Sequence, residues 1–241
     1  MKPNPYDSPT ARNAEGVVDR AARDTLAETI RQFLDEQTSA FTFDEALDEF
    51  RNSSDSTVRF VTQAVWYHYD DCDDHMVALS KPEWDYFQRL LLLLESDRRI
   101  TVTSIHRWSW TQFVALGCFL GFGGCIWRFG WGMHLLAFSI PLGLISIIIS
   151  FLRSHKLATG AYDEILMPFS TFSDLSTTYR ATEAFSKKRY PSGLTMRRIR
   201  SRVAECGIRI QMYAGWLLLS PIPLLAQTFP LTETRTDINP A

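Results

Sequence analysis

The chain has 241 residues, 46% of them hydrophobic, and a formal net charge of −2 that hides a division. Residues 1–105 hold 11 Lys/Arg against 20 Asp/Glu, a net of −9, whereas residues 153–209 hold 11 against 5, a net of +6. No G-x-S-x-G, G-x-x-x-x-G-K-[ST] or H-E-x-x-H occurs, which excludes the hydrolases, nucleotide-binding loops and metalloproteases built on those motifs.

The first residues, to about Ala14, are polar and rich in proline and asparagine, a composition that predicts disorder. Within them, Asn4-Pro-Tyr-Asp-Ser-Pro9 resembles a short N-terminal tag carried by many otherwise dissimilar bacterial proteins. The resemblance covers six residues and implies a bacterial lineage, not an activity; the rest of the chain resembles a bacterial integral membrane protein of no recognised functional family. No apolar core region of a cleavable signal peptide stands here, so the first span is expected to direct insertion.

Val18, Ala22, Leu26, Ile30 and Phe33 recur at helical spacing and predict an amphipathic helix. Thr42-Phe-Asp-Glu45 has the pattern of a capping box and is expected to open a short helix that buries Ala46, Leu47 and Phe50. Val58, Val61 and Val65 suggest a third helix, with a strand left open by their β-branching. Ser80-Lys-Pro-Glu83 is a second capping box. The helix it starts carries Trp84, Phe87 and five consecutive leucines, Leu90 to Leu94. Such a run covers every side of a helix, so this one should be central to a small helical domain over residues 15–106. The stretch from Ile100 to Ile105 reads as a strand or as an extended lead into the membrane.

Residues 108–127 and 133–152 contain no charged side chain. Each is long enough as a helix to match a hydrocarbon core of about 30 Å. Arg128-Phe-Gly-Trp-Gly132 joins them, and Trp108, Trp110, Trp127 and Trp131 mark the two interfaces as an aromatic belt would. The fold class expected is therefore mainly α, with a transmembrane hairpin over residues 108–152. Gly117, Gly121 and Gly124 recur on one side of the first span, and Ser139, Gly143, Ser146 and Ser150 on one side of the second. Small residues allow close backbone approach in lipid, so the two small faces are expected to meet, Gly117 against Gly143 and Gly121 against Ser139. Cys118 and Cys125 are seven residues apart within a span, about 10 Å along its axis and too far for a disulfide.

After the hairpin, a helix is expected around Phe172 to Ala184, with Ser170 as candidate cap. Lys187-Lys-Arg-Tyr-Pro191 breaks it. From Leu194 a further helix carrying Arg197, Arg198, Arg200 and Arg202 is expected to run straight into a third apolar segment, residues 210–232, kinked by Pro221 and Pro223. A full span is expected, with a re-entrant or interfacial segment as the alternative; if it spans, the polar tail 233–241 lies on the far side. The four arginines suit anionic lipid headgroups. No module or aromatic interleaving points to nucleic acid.

His68-Tyr-Asp-Asp-Cys-Asp-Asp-His75 is the one cluster with metal-ligand chemistry. On a helix His68, Asp71, Cys72 and His75 would share a face, and imidazole, thiolate and carboxylate suit zinc. A solvated acidic surface explains the same residues without metal. Asp70-Asp-Cys-Asp-Asp74 also resembles the aspartate-rich magnesium motif of membrane prenyltransferases, but the second acidic motif and further spans of those enzymes are absent. Arg98, Arg99, Arg107, Arg153 and Lys156 flank one end of the hairpin, against Arg128 at the other. By the positive-inside rule both flanking domains face the cytoplasm of a multi-pass protein of the cell membrane. The function expected is a non-enzymatic interaction or regulatory module, self-engaged or bound to a protein partner or a second copy. The alternative is a metal-dependent membrane enzyme built on His68, Asp71, Cys72 and His75.

Overall fold

Asp19 ends the N-terminal approach by accepting the Ala22 amide, and from it α1 (Arg20–Leu34) turns Leu26, Ala27, Ile30, Phe33 and Leu34 inward. The computed structural model describes residues 18–68, 73–157 and 163–239. The N-terminal tail and its Asn-Pro-Tyr tag, together with Asp70, Asp71 and Cys72, lie outside the described residues. The chain divides into two compact units: 1–101 with 165–197 and 236–241, and 102–164 with 198–235.

In the first unit α2 (Ala40–Asp48) begins at Ser39, one turn earlier than the Thr42–Glu45 capping box predicts. Asp74 supplies the missing cap from a distance, its Oδ1 accepting the Phe41 amide at 3.1 Å. A local motif at Thr42 is thus overruled by a tertiary bond that satisfies the helix one turn upstream. Asp55 caps α3 (Ser56–Trp66), which resolves the helix-or-strand ambiguity of the valines in favour of helix. The capping box of α4 (Lys81–Glu95) forms as read, with the Ser80 amide donating to Glu83 at 2.6 Å. Leu90 to Leu94 are all buried at 3% exposure or less, so α4 is surrounded on every side. α1, α2 and α3 pack on it or on each other, and Phe169, Phe185 and Leu194 from the later segment join the same core.

Following the short helix α7 (Asp163–Leu166), that later segment contains α8 (Phe172–Ala181), which ends before Ala184 and is capped by Thr171, not Ser170. Thr171 presents its Oγ1 to the Asp174 amide at 3.1 Å, the offset that an N-cap requires. The straight helix expected from Leu194 is replaced by a 3-10 turn (Ser192–Met196) and an extended link to Ser201. Arg197 has an extended backbone at this point, and its guanidinium bonds Glu36 and the Val77 carbonyl.

β1 (Arg99–Arg107) begins in the first unit and passes into the second, where it leads to α5 (Trp110–Phe129) and α6 (His134–Leu157). Both helices are long and apolar enough to cross a membrane. Gly130 closes α5 at φ +70°, a left-handed conformation that favours glycine, and its amide returns to the Ile126 carbonyl at 2.8 Å. The third apolar segment is not one straight helix. α9 (Arg202–Leu218) and α10 (Pro221–Gln227) meet at 82° just before Pro221. β2 (Leu231–Asn239) then pairs with β1 in a two-stranded sheet. Asn239 at the end of β2 reaches Thr101 near the start of β1, as an antiparallel pair requires.

Candidate functional site

The His68 ring packs 5.6 Å from Tyr86 and 5.5 Å from Phe87, and its Nδ1 lies 3.7 Å from Glu83. Burial pushes the Tyr86 phenol up to about 12 against the pull of Arg89, so it stays a neutral donor at physiological pH. The His75 Nδ1 is held by the Met76 carbonyl at 2.8 Å, while its Nε2 is buried without a partner. Among the described residues no group of three His, Cys, Asp or Glu is placed to hold a metal. The zinc set as read from the sequence depends on Asp71 and Cys72, outside the described residues. Of that set, His68 is engaged by α4, whereas His75 retains one nitrogen of the kind metals use.

The acidic first unit takes the basic segment onto its surface. Lys187 Nζ meets Asp85 at 2.6 Å, Lys188 Nζ meets Asp35 at 2.5 Å, and Arg197 pairs with Glu36. Neutral bonds align the same strap. Trp84 Nε1 donates to the Lys188 carbonyl at 3.1 Å, the Lys188 amide to Gln88 Oε1 at 2.9 Å, and the Tyr190 hydroxyl to the Leu79 carbonyl at 3.0 Å. Exposed ion pairs contribute about 0–1 kcal/mol each, so Phe169, Phe185 and Leu194, buried in the core, carry most of the attachment.

One ion pair in this unit is of another kind. Arg23 is fully buried and spends all its donors: on Asp55 (2.7 and 3.1 Å), Thr57 (3.0 Å) and the carbonyls of Ser96 (2.7 Å) and Arg98 (2.8 Å). Burial raises the Asp55 pKa, but the Arg23 hydrogen bond, the Thr57 amide, the Arg23 charge and the Asp19 amide outweigh it and hold the carboxyl below its ordinary value. The sequence reading missed this pair. Its signal was an arginine on the apolar face of α1, three residues before Leu26.

Within the second unit the small residues do not face one another as expected. Ala115, Cys118 and Phe119 of α5 face Leu142, Ile145 and Ile149 of α6, and Leu224 of α10 fills the space beside them. Gly117 lies about 200° round the helix from Ala115; it, Gly121 and Gly124 have nothing within 4 Å of a Cβ built there. Gly143 instead meets α9, where an added Cβ would stand 2.7 Å from the Leu217 Cα. Ser139 is buried, and Ser146 accepts from Trp216 Nε1 at 3.0 Å and donates to Gln227 Oε1 at 3.1 Å. Gln227 Nε2 returns to the Ser146 carbonyl and the Ser150 hydroxyl, both at 2.9 Å. Arg153 bonds the Gln227 carbonyl and Thr111. An amide in a charge-free apolar segment must find such partners in lipid, a signal present at Gln227 and not used in the sequence reading.

Of the headgroup candidates, Arg197 belongs to the first unit and pairs with Glu36, Arg198 is exposed on the link, Arg200 is half-buried there, and Arg202 opens α9 exposed. Comparison with protein-family models, with curated proteins and with solved structures finds no match.

Proposed function

We propose that this is a multi-pass protein of the cell membrane whose acidic N-terminal unit is a cytoplasmic, non-enzymatic regulatory module. The observation that carries the reading is the self-engagement of that unit, which binds residues 187–197 of its own chain through Asp85, Asp35 and Glu36. A tethered segment acts at high effective concentration although each exposed pair is weak. Such a contact suits exchange, in which a basic partner displaces the strap and alters what the hairpin carries. The clustering of Arg98, Arg99, Arg107 and Arg153 at one end of the hairpin supports the cytoplasmic orientation.

The test uses the full chain with single cysteines in a background lacking the native four. Glu49→Cys and Thr177→Cys should be labelled only from the cytoplasmic side, and Trp131→Cys only from outside. Elemental analysis of the purified wild-type chain should find no stoichiometric zinc. Zinc at one per chain, lost in Cys72→Ser, would replace this reading with a metal-dependent enzyme using His68, Asp71, Cys72 and His75.

A further inference from the structure

α10 runs along α6 in the same direction, back toward the end of the hairpin where α5 begins. Leu217, just before the bend, rests on Gly143; Leu224 rests on Ile149 and Ala115; Gln227 rests on Ser150, Arg153 and, through Arg153, on Thr111. Gly143 is ten residues from Arg153, about 15 Å at 1.5 Å per residue, which is half of a hydrocarbon core of about 30 Å. The chain therefore turns at mid-depth and returns to the end of the hairpin where α5 begins. There β2 pairs with β1, the strand that leads into α5.

The entry point is fixed by connectivity. Residues 165–197 fold in one unit with 1–101, and only the rest of β1 and a two-residue link separate Thr101 from α5. A folded polar unit does not straddle a bilayer, so Arg202 also starts from the face where α5 begins. We infer that residues 202–230 form a re-entrant element seated in one leaflet, with acyl chains against the open surface of α9 and phosphate headgroups at Arg202 and Arg209. The inference rests on reading α5 and α6 as a membrane hairpin.

Four further features fit a leaflet as the occupant. Arg202, Glu205 and Arg209 share one stripe with Tyr213 and Trp216, and the charges stop midway along the helix. On the flanks of that stripe Val203, Ile210 and Met212 are 82%, 63% and 63% exposed, large apolar side chains that no protein covers. α9 meets α6 at Trp216 and Leu217 in its last turn, and from Arg202 to Leu217 it covers about 22 Å, more than the depth of about 15 Å, so it descends obliquely. The break at mid-depth is enclosed, with Ser220 fully buried, and Leu219 N bonds Gly215 O, Ile222 N bonds Leu219 O and Leu224 N bonds Ser220 O, while the Ser220 hydroxyl has no partner among the described residues. Irregular backbone is tolerated at membrane depth only under such cover.

The experiment extends the single-cysteine labelling to Asn239→Cys and adds a water-quenchable fluorophore at Met212→Cys in the full chain in vesicles. Asn239 should be labelled from the same side as Thr177 and opposite Trp131. The Met212 probe should be shielded from aqueous iodide at least several-fold relative to one at Thr177. Labelling of Asn239 together with Trp131, opposite Thr177, would show a full third span and overturn the inference while leaving the hairpin intact. Labelling of Trp131 together with Thr177 would overturn the hairpin itself. Equal quenching at Met212 and Thr177 would remove α9 from the leaflet.

Discussion

The two units of this chain solve the same packing problem in opposite senses. In the first, leucines and phenylalanines of α1 to α4 are buried and charges lie outside, with Arg23–Asp55 as the buried exception. In the second, Phe113, Leu120, Trp127, Ile148 and Phe151 point outward, all more than half exposed, while Thr111, Ser146 and Gln227 are inside. Water rewards burial of apolar area, whereas lipid is as apolar as leucine and leaves only close packing and hydrogen bonds to hold helices together. The polar residue is therefore a rarity in one core and the fastening in the other.

The sharpest way to break the comparison is to remove the exception. Asp55→Ala should destabilise the first unit by about 3–5 kcal/mol, because it strands a buried guanidinium. Replacing Arg23 and Asp55 together by Met and Leu should recover most of that loss. Limited proteolysis of the full chain in vesicles reads both. The sign of the pH dependence follows from the depressed Asp55 pKa. Its contribution is complete above the unfolded value, about 3.9, and is lost as pH falls through the lower folded value. Asp55→Asn should lack this acid-induced loss.

A smaller effect distinguishes the two small-residue faces of the second unit. Gly143→Leu must push Leu217 and α9 away, a clash worth about 1–3 kcal/mol. Gly121→Leu enters open space and should stay within about 0.5 kcal/mol. Thermal stability in detergent, scored as folded monomer, compares them; equal losses would place a further neighbour on the Gly117–Gly121 face.

The least effect is expected from salt on the strap. Raising ionic strength from about 0.1 to 1 M shortens the screening length from about 10 to 3 Å, which weakens the pairs of Lys187, Lys188 and Arg197. Cleavage by trypsin at Lys187–Arg189 should rise by no more than a few-fold, since Phe169, Phe185 and Leu194 stay buried. A collapse of protection at high salt would make ion pairs the main attachment.

Local chemistry was legible wherever a single element decides its own state. The Ser80 capping box, the all-round burial of Leu90 to Leu94, the two apolar helices and the bend at Pro221 follow from caps, periodicity and proline sterics, which act within a few residues. Thr42 shows the limit of that reasoning: the helix starts at Ala40 because Asp74, 33 residues from Phe41, takes the Phe41 amide.

What the sequence by itself determined is thus the class of each segment: a helical acidic region, two helices long and apolar enough to span, a basic stretch and a proline-broken apolar segment. Tertiary structure alone decided which surface each segment meets. Gly143 was legible as a site of close approach, but whether Gly117 or Leu217 approaches it depends on α10 filling the space between α5 and α6. Likewise no spacing rule pairs Arg23 with Asp55, Lys188 with Asp35, or β2 with β1. Helical periodicity fixes a residue's direction about its own axis and carries no information about which distant element will be standing there.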